Sequence, residues 1–310
     1  AYRSLPHRPP ALAGISYPAE REALTAQLDL YAPQVGSNGA GPWRGRALVS
    51  PHIDYERGGA VYGRVWRHAQ VAVAEADLVL IFGTDHNADA GAITLTEQPY
   101  ATPFGKLPAD REVVQKLAAA IGPEEAFRLE LNHREEHSVE LSAVWLHYLY
   151  QEIDLPPAPM VPILCGSFQH FIEEGRHPEH DARFSAFLEA LCAATEGRKV
   201  LAVASVDLGH VGPHFGDPLP MTLSRRQRLK ASDRRLIDAI KRGDHSRFYR
   251  EIATVNNSNR ICGFSSLYLM LRYLDAASPA SLRGREVAYE QCAADMDEAS
   301  FVSICGLLLE

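Results

Sequence analysis

Strand-like runs with apolar centres at 46–50, 78–82, 160–164 and 200–204 constrain this chain most, because longer segments with helical spacing separate them. Strands that are apolar on both faces must be covered on both faces. When helices alternate with them along the chain, the economical arrangement is a parallel sheet with crossover helices on either side. The helical segments carry the matching pattern. One opens after Pro18, with Leu24, Leu28 and Tyr31 on one face, and another, at 137–150, spaces Leu141, Trp145 and Leu149 at i, i+4 and i+8. Further helices are expected at 59–73, 111–121, 183–195, 224–242 (closed by Gly243) and 264–274. A Gly/Pro/Ser/Asn stretch at 36–42 precedes the first strand, and a short strand is expected at 92–95. Pro162 marks its strand as an edge or an irregular ladder. Residues 286–291 and 301–309 read as a final pair of strands that can run antiparallel. No repeat or long linker interrupts the pattern. The expectation is one α/β domain over residues 1–310, its central sheet largely parallel and flanked by helices.

Composition narrows the function. Lys and Arg number 31 against 39 Asp and Glu, a formal net charge of −8 with no basic block, which argues against nucleic-acid or polybasic membrane binding. No apolar run approaches the roughly 20 residues of a membrane span, and the first residues lack a signal-peptide shape. Five cysteines without a Cys-x-x-Cys pair indicate neither a disulfide framework nor a zinc ribbon, so a reducing, cytoplasmic setting is expected. Walker and Gly-x-Gly-x-x-Gly motifs are absent, and neither Ser138 nor Ser205 sits in a nucleophile elbow.

Ligands of such sheets bind beyond the carboxyl ends of the strands. There, three strand-like runs lead into Pro51-His52-Ile53-Asp54-Tyr55, Gly83-Thr84-Asp85-His86-Asn87 and Ser205-Val206-Asp207-Leu208-Gly209-His210. Each histidine alone could cap a strand or bond a loop carbonyl. With three converging at one sheet edge, two could instead share zinc, iron, copper or nickel. Cys262 precedes the 264–274 helix, where the dipole favours thiolate, although most free cysteines are small buried hydrophobes. Glu136-His137-Ser138-Val139-Glu140 opens another helix, placing Glu140 one turn from His137; a plain capping arrangement fits equally. The remaining cysteines read as core, His170, His177 and His180 as solvated, and His7, His68, His133, His147 and His245 show no converging partner.

In order along the chain, these motifs and the opening Pro10-Ala11-Leu12-Ala13-Gly14-Ile15-Ser16-Tyr17-Pro18-Ala19 resemble the Memo family, also called AmmeMemoRadiSam system protein B. Its fold is similar to that of the class III (LigB-type) extradiol dioxygenases. The resemblance implies a mononuclear metal, Fe(II) in first place with Cu or Zn as alternatives, held by His52, His86 and Cys262. It places His210 as acid/base and Asp207 and His137 in the same cleft. Asp207 would orient His210 or add a ligand, and His137 would donate to an oxyanion with Glu140 behind it. The activity so implied is Fe(II)-dependent oxygenation of a small diol or catechol-like substrate. The alternatives are a non-catalytic metal-binding or protein-interaction module and a metal-dependent hydrolase. Ile53-Asp54 and Asp85 depart from the family pattern.

Overall fold

The computed structural model describes residues 2–32, 43–278 and 281–310; the stretch read at 36–42 lies wholly outside them. The strands are β1 (Ala47–Ser50), β2 (Leu78–Thr84), β3 (Ile93–Leu95), β4 (Tyr100–Thr102), β5 (Gly105–Leu107), β6 (Met160–Cys165), β7 (Val200–Ser205), β8 (His210–Val211), β9 (Gly284–Ala293) and β10 (Phe301–Leu309). The helices are α1 (Arg21–Tyr31), α2 (Tyr55–Glu75), α3 (Arg111–Ile121), α4 (Pro123–Arg128), α5 (His137–Glu152), α6 (Gln169–Glu173), α7 (Ala182–Thr195), α8 (Leu223–Lys241), α9 (His245–Thr254) and α10 (Phe264–Ala277).

The main sheet runs β3-β6-β2-β7-β1-β10-β8, with β9 also pairing β10. β6, β2, β7 and β1 form a parallel centre. Antiparallel β3 flanks it on one side, and β10 with its partners on the other. The sheet is therefore mixed around a parallel core, and the last two strands do pair antiparallel. β4 and β5 form a separate hairpin that the apolar pattern does not mark.

Alternation along the strands divides the core into two layers. Leu78, Leu80 and Phe82 face one layer with α3, α7, α8, α9 and α10, whereas Val79 and Ile81 face the other with α1, α2 and α5. All five are fully buried, each contributing roughly 1.5–3 kcal/mol. Pro162 is not on an edge strand: β6 lies between β2 and β3. Met160 N donates to Pro108 O and Gly166 N to Ala92 O, so with a period of two the nitrogen of Pro162 faces the same side. β3 pairs only with residues 163–165, and the missing donor falls in the gap.

Two glycines bring distant segments onto the carboxyl ends of the strands. A Cβ on Gly83 would stand 2.7 Å from Ser138 Oγ and Val139 Cγ2, so only glycine lets the start of α5 descend onto β2. A Cβ on Gly263 would stand 2.4 Å from Val206 Cβ, so glycine likewise admits the segment before α10 beside the end of β7. Among the described residues no helix is long and apolar enough to cross a membrane.

Candidate metal centre at the strand ends

His52 leaves β1, His86 leaves β2 and His137 opens α5, and the fold brings the three imidazoles together. Each offers one ligand atom, and these atoms lie within 4.8 Å of one another. The rings of His86 and His137 stack at 4.8 Å, and each meets His52 edge-on at 5.1 Å. A metal ion can be held here.

Hydrogen bonds fix which nitrogen each ring presents. His52 Nδ1 lies 3.0 Å from Ser205 O, an acceptor only, so Nδ1 carries the proton and Nε2 is left free. Glu136 serves the other two rings. Its carboxylate is 3.1 Å from His86 Nδ1 and 3.0 Å from His137 Nδ1, and it also accepts the backbone N–H groups of His86 and Ser138. An Nδ1–H held by a carboxylate or carbonyl, with Nε2 turned inward, is how metal-binding histidines are usually braced. Burial would raise the Glu136 carboxyl, but the bonds from His137 and His86 outweigh it and hold the group well below the usual carboxylate range. Burial would lower His137, yet Glu136 keeps it above the ordinary imidazole value. His52 is pushed well down by burial and then by the neighbouring His137 and His86. It is thus neutral and ready to donate a lone pair.

Cys262 Sγ stands 3.3 Å from His52 Nε2 and 3.5 Å from Asp207 O. Burial, followed by Asp207, pushes the thiol well above its ordinary value, so the dipole of α10 does not by itself yield thiolate. A cation would be needed to displace that proton. The sulfur lies beside the three-histidine set rather than within it. Asp207 is buried, and one carboxylate oxygen accepts the backbone N–H groups of His52 (2.9 Å) and Ile53 (3.2 Å). The other reaches to 3.8 Å from His52 Nε2, and burial raises the group. Asp207 therefore orients His52, while carbonyls orient His210: its Nδ1 lies 3.1 Å from Leu208 O and 3.2 Å from Arg260 O. That leaves Nε2 of His210 without a proton. Burial lowers its pKa, partly opposed by Asp207.

Glu140 is not the brace of His137. It accepts from Arg8, Tyr17 and the backbone N–H groups of Ala11 and Leu12, and so fastens the N-terminal segment to α5. Glu136 takes the place expected for it, and the acid next to a histidine at a helix start was the available signal. Asp54 caps α2 through Arg57 N at 3.0 Å and bonds the Arg57 guanidinium. Its charge is thereby engaged at the rim. Asp85 accepts from Asn132 at 3.0 Å.

His133 and His147 are core residues, bonded at 2.7 Å to Tyr100 and Thr102. His52, His86, His137, Asp207 and His210 line one cavity of about 450 Å³, with His214 and Phe215 on its wall. A larger cleft, about 710 Å³, lies at the opposite ends of the strands beside Arg44 and Arg198. Those cations pair with Glu75 and Asp110, and the cleft holds none of the histidine cluster.

The model of a family described as Memo-like protein matches residues 8–308. A MEMO1 family protein of Archaeoglobus fulgidus is 26% identical over 302 residues, covering 97% of this chain and 98% of the relative. One of Methanococcoides burtonii is 29% identical over 268 residues, covering 85% and 86%. Among solved structures, uncharacterized protein JW3007 from Escherichia coli K12 aligns with 86% of this chain and 100% of its own at a TM-score of 0.43 and 15% identity.

Proposed function

The chain belongs to the Memo-like protein family, and on that premise we propose that it is a mononuclear non-haem Fe(II) oxygenase acting on a small diol or catechol-like substrate. The observation that carries the reading is the convergence of His52, His86 and His137 at the carboxyl ends of the strands. Imidazole nitrogens with a sulfur beside them suit Fe, Cu or Zn and disfavour Mg or Ca.

In this reading His52, His86 and Cys262 hold the ion. The 3.3 Å between His52 Nε2 and Cys262 Sγ is close enough for both atoms to face one ion. Glu136 braces His86 and keeps a proton on His137, which points into the same space as a donor to developing negative charge. The free Nε2 of His210 accepts a proton from a substrate hydroxyl. The bound ion would acidify that hydroxyl and supply the redox chemistry. Leu12, Leu141 and Val302 give the cavity an apolar wall against which a small ring or chain can lie.

A second reading has His137 in place of Cys262 as third ligand, favoured by the three-histidine cluster itself. Metal analysis of protein purified without oxygen, with O₂ uptake on catechol, tests the proposal. Bound iron with catechol-dependent uptake supports it. Bound zinc without uptake favours a hydrolase, and metal binding with no turnover favours a binding module.

A further inference from the structure

Three non-glycine residues in the segment before α10 adopt left-handed backbone: Asn256, Asn257 and Arg260, at φ of 49°, 47° and 50°. Asparagine visits this region readily, whereas arginine carries the full steric penalty of its Cβ. Such an outlier persists only where its surroundings enforce it, and it points to a task at that position.

The task is legible in what Arg260 touches. Its carbonyl oxygen receives the Nδ1–H of His210 at 3.2 Å. Its guanidinium turns back to donate to the carbonyl of that same histidine at 3.1 Å and to Asp217 Oδ1 at 2.7 Å. Asp217 Oδ2 in turn accepts Gly212 N at 2.7 Å, and Asn259 O accepts His210 N at 2.7 Å. One residue thus holds His210 by its ring and by its backbone, and through Asp217 closes the loop 210–217 that brings His214 and Phe215 to the cavity wall.

We infer that Arg260, anchored by Asp217, is a positioning residue for His210: together with Leu208 O it holds the imidazole in the Nδ1–H tautomer, and it sets the wall beside it. The inference rests on the reading of His210 as the base, and it adds to that site a residue that acts through His210.

The test uses the full chain with Zn²⁺ as a diamagnetic probe, and reads the His210 tautomer from imidazole nitrogen shifts. Arg260→Gly suits the left-handed backbone, keeps the carbonyl and removes the guanidinium. Asp217→Asn removes the anchor while leaving residue 260 intact. Both variants are expected to lose the single Nδ1–H tautomer of His210, which becomes a mixture, while Zn²⁺ affinity stays at the wild-type value. A His210 that keeps one tautomer in both variants overturns the inference. So does a parallel loss of Zn²⁺ binding, which would assign Arg260 to the neighbouring Cys262 instead. If Arg260→Gly fails to fold, Asp217→Asn decides. A wild-type chain that binds no Zn²⁺ would defeat the metalloprotein reading, yet the tautomer comparison in metal-free protein would still decide the clamp.

Discussion

Glu136 takes hold of His86 twice, accepting its ring Nδ1–H at 3.1 Å and its backbone N–H at 3.0 Å, with a side chain only 1% exposed. The ring can neither rotate nor change tautomer without breaking a charge-assisted bond to a buried carboxylate. Replacing Glu136 by Gln keeps the shape and removes the charge. Affinity for Fe²⁺ or Zn²⁺ should fall about 10- to 100-fold with the fold retained, as measured by chelator competition and circular dichroism. An unchanged affinity would mean that the brace is irrelevant to the centre.

Alanine variants separate the two ligand readings. His52→Ala and Cys262→Ser should each lower metal occupancy, whereas His137→Ala should retain the ion and lose turnover. If His137→Ala empties the site and Cys262→Ser does not, the three-histidine set is the correct one.

For His210 the expectation is the reverse of that for His52. Its Nδ1 is tied to Leu208 and Arg260 carbonyls, and its Nε2 is free to move a proton. His210→Ala should leave metal content unchanged and abolish catechol-dependent O₂ uptake. Loss of metal to the degree seen in His52→Ala would remove the acid/base role.

The Arg8–Glu140 ion pair is buried, with side chains 0% and 1% exposed. Removing one partner strands the other charge, so Glu140→Ala should destabilise the protein by about 3–5 kcal/mol in urea unfolding. The 8–17 segment should then open to proteolysis, since Glu140 also receives Tyr17 and two backbone N–H groups from it.

Acid should weaken the fold through His133, which burial keeps neutral down to about pH 3. Its folded pKa lies below the unfolded value near 6.5, so below that value the unfolded chain binds the extra proton. Stability is therefore intact above about pH 6.5 and declines as pH drops toward the folded value, by about 2 kcal/mol at pH 5 from this group. His133→Gln should flatten that part of the urea-unfolding profile between pH 7 and pH 5. An equally steep profile in the variant would assign the acid loss to other groups.

The parallel centre was readable because its strands are buried on both faces and hence apolar throughout: Leu78 to Phe82 has no polar residue to blur the signal. His52, His86 and His210 were readable for a related reason, each following such a run where a parallel sheet opens to ligands. Glu136 showed only as the acid beside His137 at a helix start; its hold on His86, 50 residues away, did not show, and neither did the equally distant contact of Arg260 with His210. The β4–β5 hairpin and the two-residue β8 escaped because strands so short show no period. Of the two readings of Pro162 the edge strand fails and the irregular ladder holds, because β3 stops short of the proline, which depends on the length of β3.

The central claim is that side chains from β1, β2 and the start of α5, with the sulfur before α10, surround one cation. Anaerobic Fe²⁺ titration with a competing chelator, on wild type, His52→Ala and His86→Ala, tests it directly. The expected result is one saturable ion per chain in wild type and none in either variant. Absence of saturable binding in wild type, or equal binding in all three proteins, would contradict the account.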